Sequence, residues 1–122
     1  MALTTSLLND VEDDVKSYLE TALTDFVIGT DNTAPTAGDS ALGAEVFTDT
    51  IDGTDDSVAD AIIHECQIGV GEANGNNIQE AGLENSGGTL KIRSLLNSIN
   101  KTSDIQLFID FRTDIEAKDV TP

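Results

Sequence analysis

Apolar residues near the start of the chain recur every three or four positions. They are Leu3, Leu7, Leu8, Val11, Val15, Tyr18, Leu19 and Ala22. This spacing predicts an amphipathic helix of about five turns over residues 3–22, with Thr4 or Thr5 as its N-cap. The single apolar stripe needs one partner surface, which is either the domain's own sheet or the matching helices of neighbouring subunits.

After residue 22 the chain changes to short β-prone runs, separated by clusters of Gly, Asn, Asp, Pro and Ser. The predicted strands are residues 23–28, 44–51, 60–70, 77–83, 90–96 and 103–115. This texture is typical of an antiparallel sandwich or barrel. We expect a mainly β fold, an antiparallel and jelly-roll-like β-sandwich over residues 23–116, with the helix before it and a C-terminal tail over 117–122. A chain of 122 residues fits one domain with one core.

The last predicted strand alternates between an apolar and a largely polar face. Its apolar face consists of Ile105, Leu107, Ile109, Phe111 and Ile115. Phe108 is apolar on the opposite face, so it either contacts the helix or a neighbouring subunit, or is a lone exposed apolar residue.

The strand predicted over residues 60–70 carries two metal-ligand residue types on one face. Ile62, His64, Cys66, Ile68 and Val70 share this face, which we expect to be buried. A zinc site normally has four ligands, and the chain has no second His or Cys. We interpret His64 as a buried, hydrogen-bonded histidine and Cys66 as a small buried hydrophobe.

The charge balance is strongly acidic, with 23 Asp and Glu against 6 Lys and Arg and a net charge of −17. Such a surface repels itself in dilute buffer, whereas the screening length falls to about 3 Å at 1 M salt. The acidic residues are spread along the whole chain, which favours a protein that works in a very salty environment. The same charge argues against direct nucleic-acid binding, which needs clustered Lys and Arg.

An acidic loop over residues 52–60 offers candidate cation ligands. Asp52, Asp55 and Asp56 could hold a hard cation through carboxylate oxygens. The spacing does not match an EF-hand loop, so a solvated acidic loop is the simpler interpretation. We expect no cofactor other than such bound cations.

Patterns that would indicate an enzyme are missing from the sequence. The chain has one His on a predicted core face, no serine-elbow motif and no phosphate-binding glycine loop followed by Lys. We predict a protein without catalytic activity. No apolar run approaches the roughly 20 residues of a membrane span, and the first residues lack the basic flank of a signal peptide, so we expect neither a span nor Sec export.

Three segments resemble a family of small virion proteins of tailed viruses of bacteria and archaea. They are residues 27–46 (VIGTDNTAPTAGDSALGAEV), residues 71–95 (from GEANG through IQEAGL to GGTLKIRSL) and residues 101–104 (KTSD) leading into the final strand. The chain departs from the family at Glu84, where members often carry Phe, and in the Asp-rich insertion over residues 52–60. The resemblance implies a compact β-sandwich that belongs to the tail, fibre or head-decoration components of a virus particle.

Together with the acidic composition, the resemblance implies a structural protein in the virion of a haloarchaeal tailed virus, assembled in the host cytoplasm. We expect a subunit of a symmetric homo-oligomer on the tail (baseplate, fibre or adaptor) that contacts other virion proteins. A capsid decoration or turret protein is the alternative, and a host-surface-binding module using loops 31–42 and 52–60 is a further one. The candidate interface residues are Leu7, Val11, Val15, Tyr18, Phe108 and Arg93. We also expect Arg93 to pair with Glu80 or Glu45, as a strut inside a subunit or between subunits.

Overall fold

The computed structural model of the protein describes residues 1–118. Within them lie one helix, α1 (Thr5–Ala22), and seven strands: β1 (Leu23–Gly29), β2 (Glu45–Thr50), β3 (Gly53–Asp55), β4 (Ala61–Ile68), β5 (Asn77–Asn85), β6 (Leu90–Asn100) and β7 (Leu107–Asp114). The predicted C-terminal tail lies mostly outside the described residues.

The helix begins where its capping chemistry places it. Thr4 has an extended backbone, and its Oγ1 accepts a hydrogen bond from the Leu7 N–H at 3.2 Å. This bond satisfies one of the N–H groups that the first turn leaves unpaired, so Thr4 and not Thr5 is the N-cap. Leu23 follows Ala22 in an extended conformation, and the chain passes directly from α1 into β1.

The strands form two antiparallel sheets, which confirms the predicted mainly β sandwich with an N-terminal helix. The four-stranded sheet has the order β2-β1-β5-β6, and the three-stranded sheet has the order β3-β4-β7. The main core lies between them and joins Phe26, Ile28 and Leu83 of the first sheet to Cys66 and Phe111 of the second. No helix within residues 1–118 has the length and apolar composition of a membrane span.

Several strand bounds differ from the predictions: β6 continues to Asn100 instead of ending at residue 96, and β4 ends at Ile68 instead of at residue 70. β3 lies inside the segment predicted to be an acidic loop, where Gly53 to Asp55 pair with Glu65 to Ile63 of β4. A strand of three residues is too short to show a period. β7 starts at Leu107 rather than at residue 103, because a turn precedes it in which the Ile105 N–H bonds to the Thr102 carbonyl at 3.2 Å.

The outer face of the four-stranded sheet is covered by the segment over residues 30–44. Leu42 of this segment forms a second, small core cluster with Val27 and Leu90. Gly82 of β5 makes the close approach possible: a Cβ there would lie 2.6 Å from the Ile92 carbonyl oxygen and 3.3 Å from a Leu42 methyl carbon. The long loop is therefore part of the packed structure.

Candidate assembly surface

One side of α1 is hydrogen-bonded to the rest of the molecule through two side chains of opposite charge, Lys16 and Glu12. We call it the fastened side. Lys16 Nζ donates hydrogen bonds to the carbonyls of Asp56 and Val58, both at 2.9 Å. Glu12 accepts a hydrogen bond from the Ala117 N–H at 3.1 Å. These bonds hold the acidic loop and the segment after β7 against the helix, and so fix its rotation.

His64 of β4 anchors the end of the same helix. Its side chain is fully buried, and Nε2 lies 3.0 Å from the Leu19 carbonyl oxygen. A carbonyl can only accept, so Nε2 carries the proton and donates to a carbonyl in the last helical turn. This geometry confirms the prediction of a buried, hydrogen-bonded histidine. Leu19 itself packs against the main core.

Four residues of the predicted apolar stripe, called the exposed stripe from here on, point away from this fastened side. Leu7, Val11, Val15 and Tyr18 are 46%, 44%, 39% and 62% exposed. Each of these residues comes one position before a residue of the side that faces the molecule, namely Leu8, Glu12, Lys16 and Leu19. One position corresponds to a rotation of roughly 100° around the helix axis, so the four side chains point about 100° away from the fastened side. Of the two partner surfaces left open by the sequence, the subunit's own core covers Leu19 of the predicted stripe and leaves these four residues exposed.

Phe108 is the most exposed of the aromatic interface candidates, at 70%. It lies on β7, an edge strand of the three-stranded sheet, opposite Gln67 of β4. Its neighbours in the chain, Leu107 and Ile109, point toward the core. The predicted alternation of this strand therefore holds, and Phe108 stands on its outer face.

Glu80 of β5 is a fully buried carboxylate that joins the long loop to the sheet. One oxygen accepts hydrogen bonds from the N–H groups of Asp31 at 2.9 Å and Ala44 at 2.8 Å. The other accepts from the Gly43 N–H at 2.8 Å and from Arg93 Nε at 3.1 Å. The carboxylate thus closes both ends of the segment over residues 30–44 onto β5.

Arg93 of β6 is surrounded by carboxylates of its own subunit. Its side chain is 5% exposed and lies 3.1 Å from Glu80, 3.2 Å from Asp39 and 3.7 Å from Asp31. Of the two carboxylates named from the sequence, Glu80 is the partner. The structure makes Arg93 a strut inside the subunit, so its side chain is not presented to a neighbour as the interface prediction requires.

The ionisation of this cluster follows from its contacts. Burial alone would raise the pKa of Glu80, but the three backbone N–H donors and Arg93 outweigh it and hold the pKa below its ordinary value. Hydrogen bonds from Thr36 lower the pKa of Asp39, and those from Thr33 lower the pKa of Asp31. All three groups are charged at neutral pH.

Two of the three aspartates predicted as cation ligands, Asp52 and Asp55, accept hydrogen bonds from different segments, and Asp56 contacts Lys16 through its backbone carbonyl. Asp52 accepts a hydrogen bond from the Gln67 N–H at 2.6 Å. Asp55 accepts from the N–H of Ser57 at 2.9 Å and from its hydroxyl, and these bonds lower the Asp55 pKa. The structure brings together no group of three or more His, Cys, Asp or Glu that could hold a metal ion within residues 1–118. The cation site remains a prediction without geometric support.

Cys66 lies in the main core beside His64. Burial, followed by the nearby charges of Asp52 and Asp110, raises the pKa of its thiol to about 12. The thiol is therefore protonated at neutral pH and shielded from reagents, which agrees with its interpretation as a buried hydrophobe.

Two clefts border the strand that carries Arg93. One, between the long loop and β6, has a volume of about 180 Å³. The other, between β6 and β7, has a volume of about 290 Å³. A typical small-molecule site has roughly 300 to 1,000 Å³, so the first cleft is small and the second lies at the lower end of this range.

No protein-family model matches the chain, and no curated protein matches its sequence. The resemblance to small virion proteins therefore stays a prediction. The role of Glu80 as the acceptor for the long loop went unnoticed in the sequence, although the glycines at 29, 43 and 82 were a sign that something approaches the sheet closely here.

Proposed function

We propose that this protein is a non-enzymatic structural subunit of a haloarchaeal tailed virus, one copy in a symmetric homo-oligomer on the tail. The observation that carries the proposal is the exposed stripe of Leu7, Val11, Val15 and Tyr18 on a helix whose rotation is fixed by Lys16 and His64. The helix cannot rotate to bury these four apolar residues within its own subunit. Their burial against another molecule would therefore be favourable.

The net charge of −17 supports the salty setting of this assembly. Asp10, Asp13 and Asp14 share the helix with the stripe and are exposed. Copies that meet through α1 would therefore repel each other in dilute buffer and associate when salt screens the carboxylates. The proposal predicts self-association that increases with salt concentration.

Light scattering at about 2 M KCl, where the Debye length is below roughly 3 Å, tests the proposal directly. We expect a defined oligomer for the wild-type chain and a smaller mass for Val11→Ser/Tyr18→Ser. Asn9→Ser, an uncharged change at an exposed position on the opposite side of α1, is the control and should keep the wild-type mass. A wild-type monomer that is indifferent to salt would refute the proposal.

Placement on the tail is tested on the particle. Gold-labelled antibody against this protein should mark the tail of purified virions in electron micrographs. Label distributed over the head would instead support the alternative of capsid decoration, and particles without label would reject a virion role.

A further inference from the structure

The two outer strands of the four-stranded sheet carry opposite charge. β6 (Leu90–Asn100) contains Lys91 and Arg93 and no acidic residue, although the chain as a whole is strongly acidic. β2 (Glu45–Thr50), at the other edge, contains Glu45 and Asp49 and no basic residue. Like-charged edges would repel, whereas these two complement each other.

Both edges are also open. Among residues 1–118, no strand pairs with the outer side of β2 or of β6. Each edge exposes an aliphatic side chain, Val46 on β2 and Leu95 on β6. An open edge presents backbone N–H and C=O groups that a strand of another chain can bond.

The strand directions make the two edges compatible. β2 is antiparallel to β1, β1 to β5, and β5 to β6, so β2 and β6 run in opposite directions. If a second copy continues the sheet without turning it over, its β2 lies antiparallel to β6. The hydrogen-bond pattern of the sheet would then continue across the boundary unchanged.

Lys91 is the positive charge of β6 that is accessible to a second copy of the chain. Arg93 is committed to Glu80 and Asp39 inside the subunit. The Lys91 side chain is exposed and makes no hydrogen bond or ion pair within the part of the chain that the structure describes. Glu45 is likewise exposed at the start of β2.

From these observations we infer that β2 of one copy pairs with β6 of the next, so that the four-stranded sheets join head to tail. Such a contact uses two different surfaces of each subunit and closes into a ring when the rotation between neighbours permits. The inference rests on the proposed self-assembly and identifies the contact that extends it beyond the α1 stripe.

Cross-linking tests the pairing because it separates unlike edges from like edges. Thr48→Cys on β2 and Asn97→Cys on β6 are made as single variants and treated with a short bis-maleimide. Cys66 is buried with a raised pKa, so the wild-type chain serves as the unreactive control. We expect linked dimers when the two variants are mixed and none from either alone. Dimers from Asn97→Cys alone, or none in the mixture, would overturn the inference.

Charge reversal provides the second measurement. At the lowest KCl concentration at which the wild-type chain still associates, where surface charges are screened least, Lys91→Glu should weaken association by about two- to fivefold, as loss of a surface ion pair predicts. Glu45→Lys in the same chain should restore it. Lys118→Glu introduces the same change of charge away from both edges and should leave association unchanged. Unaltered association in Lys91→Glu would contradict the inference.

Light scattering on the same samples distinguishes failure of the β2–β6 contact from failure of the proposed function. An oligomer of wild-type mass that gives no mixed cross-link would reject the β2–β6 contact and leave the proposed function standing. A monomer in all salt concentrations would reject both.

Discussion

The cluster around Glu80 and the stripe on α1 are opposite departures from the usual placement of residues. The cluster puts a carboxylate and a guanidinium inside the molecule, where both find partners within their own chain. The stripe puts four apolar side chains into water, where the described part of the chain leaves them exposed. The fold of the subunit supplies partners for the buried charges, but it does not cover the exposed apolar residues of α1.

This difference separates folding from assembly. Buried charge is tolerated only when it is paired and hydrogen-bonded, so the contacts of Glu80 must form for the sheet and long loop to close. Exposed apolar area costs the isolated subunit little and becomes favourable only when a partner covers it. Substitutions in the cluster should therefore change stability, and those in the stripe should change association.

The largest expected effect comes from removing the buried carboxylate. Glu80→Ala leaves three backbone N–H groups and the Nε of Arg93 without their acceptor, while Asp39 remains beside the guanidinium. Breaking a buried pair of this kind costs about 3 to 5 kcal/mol. Urea unfolding in concentrated KCl should show this loss. Glu116→Ala, at an exposed ion pair with Lys118, is the control and should change the unfolding free energy by less than about 1 kcal/mol.

A smaller effect is expected where the loop approaches β1. A Cβ at Gly29 would lie 2.5 Å from both the Ala44 carbonyl oxygen and Glu80 Oε2. Gly29→Ala must therefore push the loop from the sheet, at a cost of about 1 to 3 kcal/mol. Gly53→Ala is the matched control, because a Cβ there meets nothing within 4 Å. Equal unfolding midpoints for the two variants would show that the loop is not held as closely as the structure indicates.

The cluster also predicts how stability depends on pH. The pKa of Glu80 is lower in the folded state than its ordinary value of 4.5. Its contribution is therefore fully present above the unfolded-state pKa and is lost as pH falls through the folded one. Acid titration of unfolding should show this loss in wild type, and a shallower decline in Glu80→Gln, which has no proton to take up at this site. Parallel acid profiles for the two proteins would contradict the assignment.

The helix, β4 and β7 could be predicted from their periods, because their residues alternate between core and solvent. The three-four spacing over residues 3–22 gave α1 to within two residues of its start. The alternation through Ile62, His64, Cys66 and Ile68 identified the buried face of β4 correctly. Val70 follows the end of that strand and is exposed, so the pattern extended too far there.

The cluster and the exposure of the stripe were harder to foresee, because both depend on contacts distant in sequence. Glu80 meets the N–H groups of Asp31 and Gly43, which no local pattern connects to it. Leu7 and Leu8 are equally apolar. Which of them faces the sheet is decided by the bonds of Lys16, Glu12 and the Leu19 carbonyl to segments 40 or more residues away. Sequence alone can therefore define the stripe but not its rotation.

The smallest effect on stability is expected for substitutions in the stripe itself. These substitutions test most directly whether the stripe serves association and the Glu80 cluster serves folding. Val11→Ser exchanges an exposed residue for one of similar helix propensity, so the unfolding free energy should change by less than about 0.5 kcal/mol. Leu19→Ser, on the same helix but packed against the core, should cost more. If Val11→Ser leaves the subunit stable but lowers the oligomer's mass, the stripe serves association alone. A loss of stability as large as that of Leu19→Ser would mean that the stripe belongs to the fold of the subunit, and the division between folding in the cluster and assembly on the helix would fail.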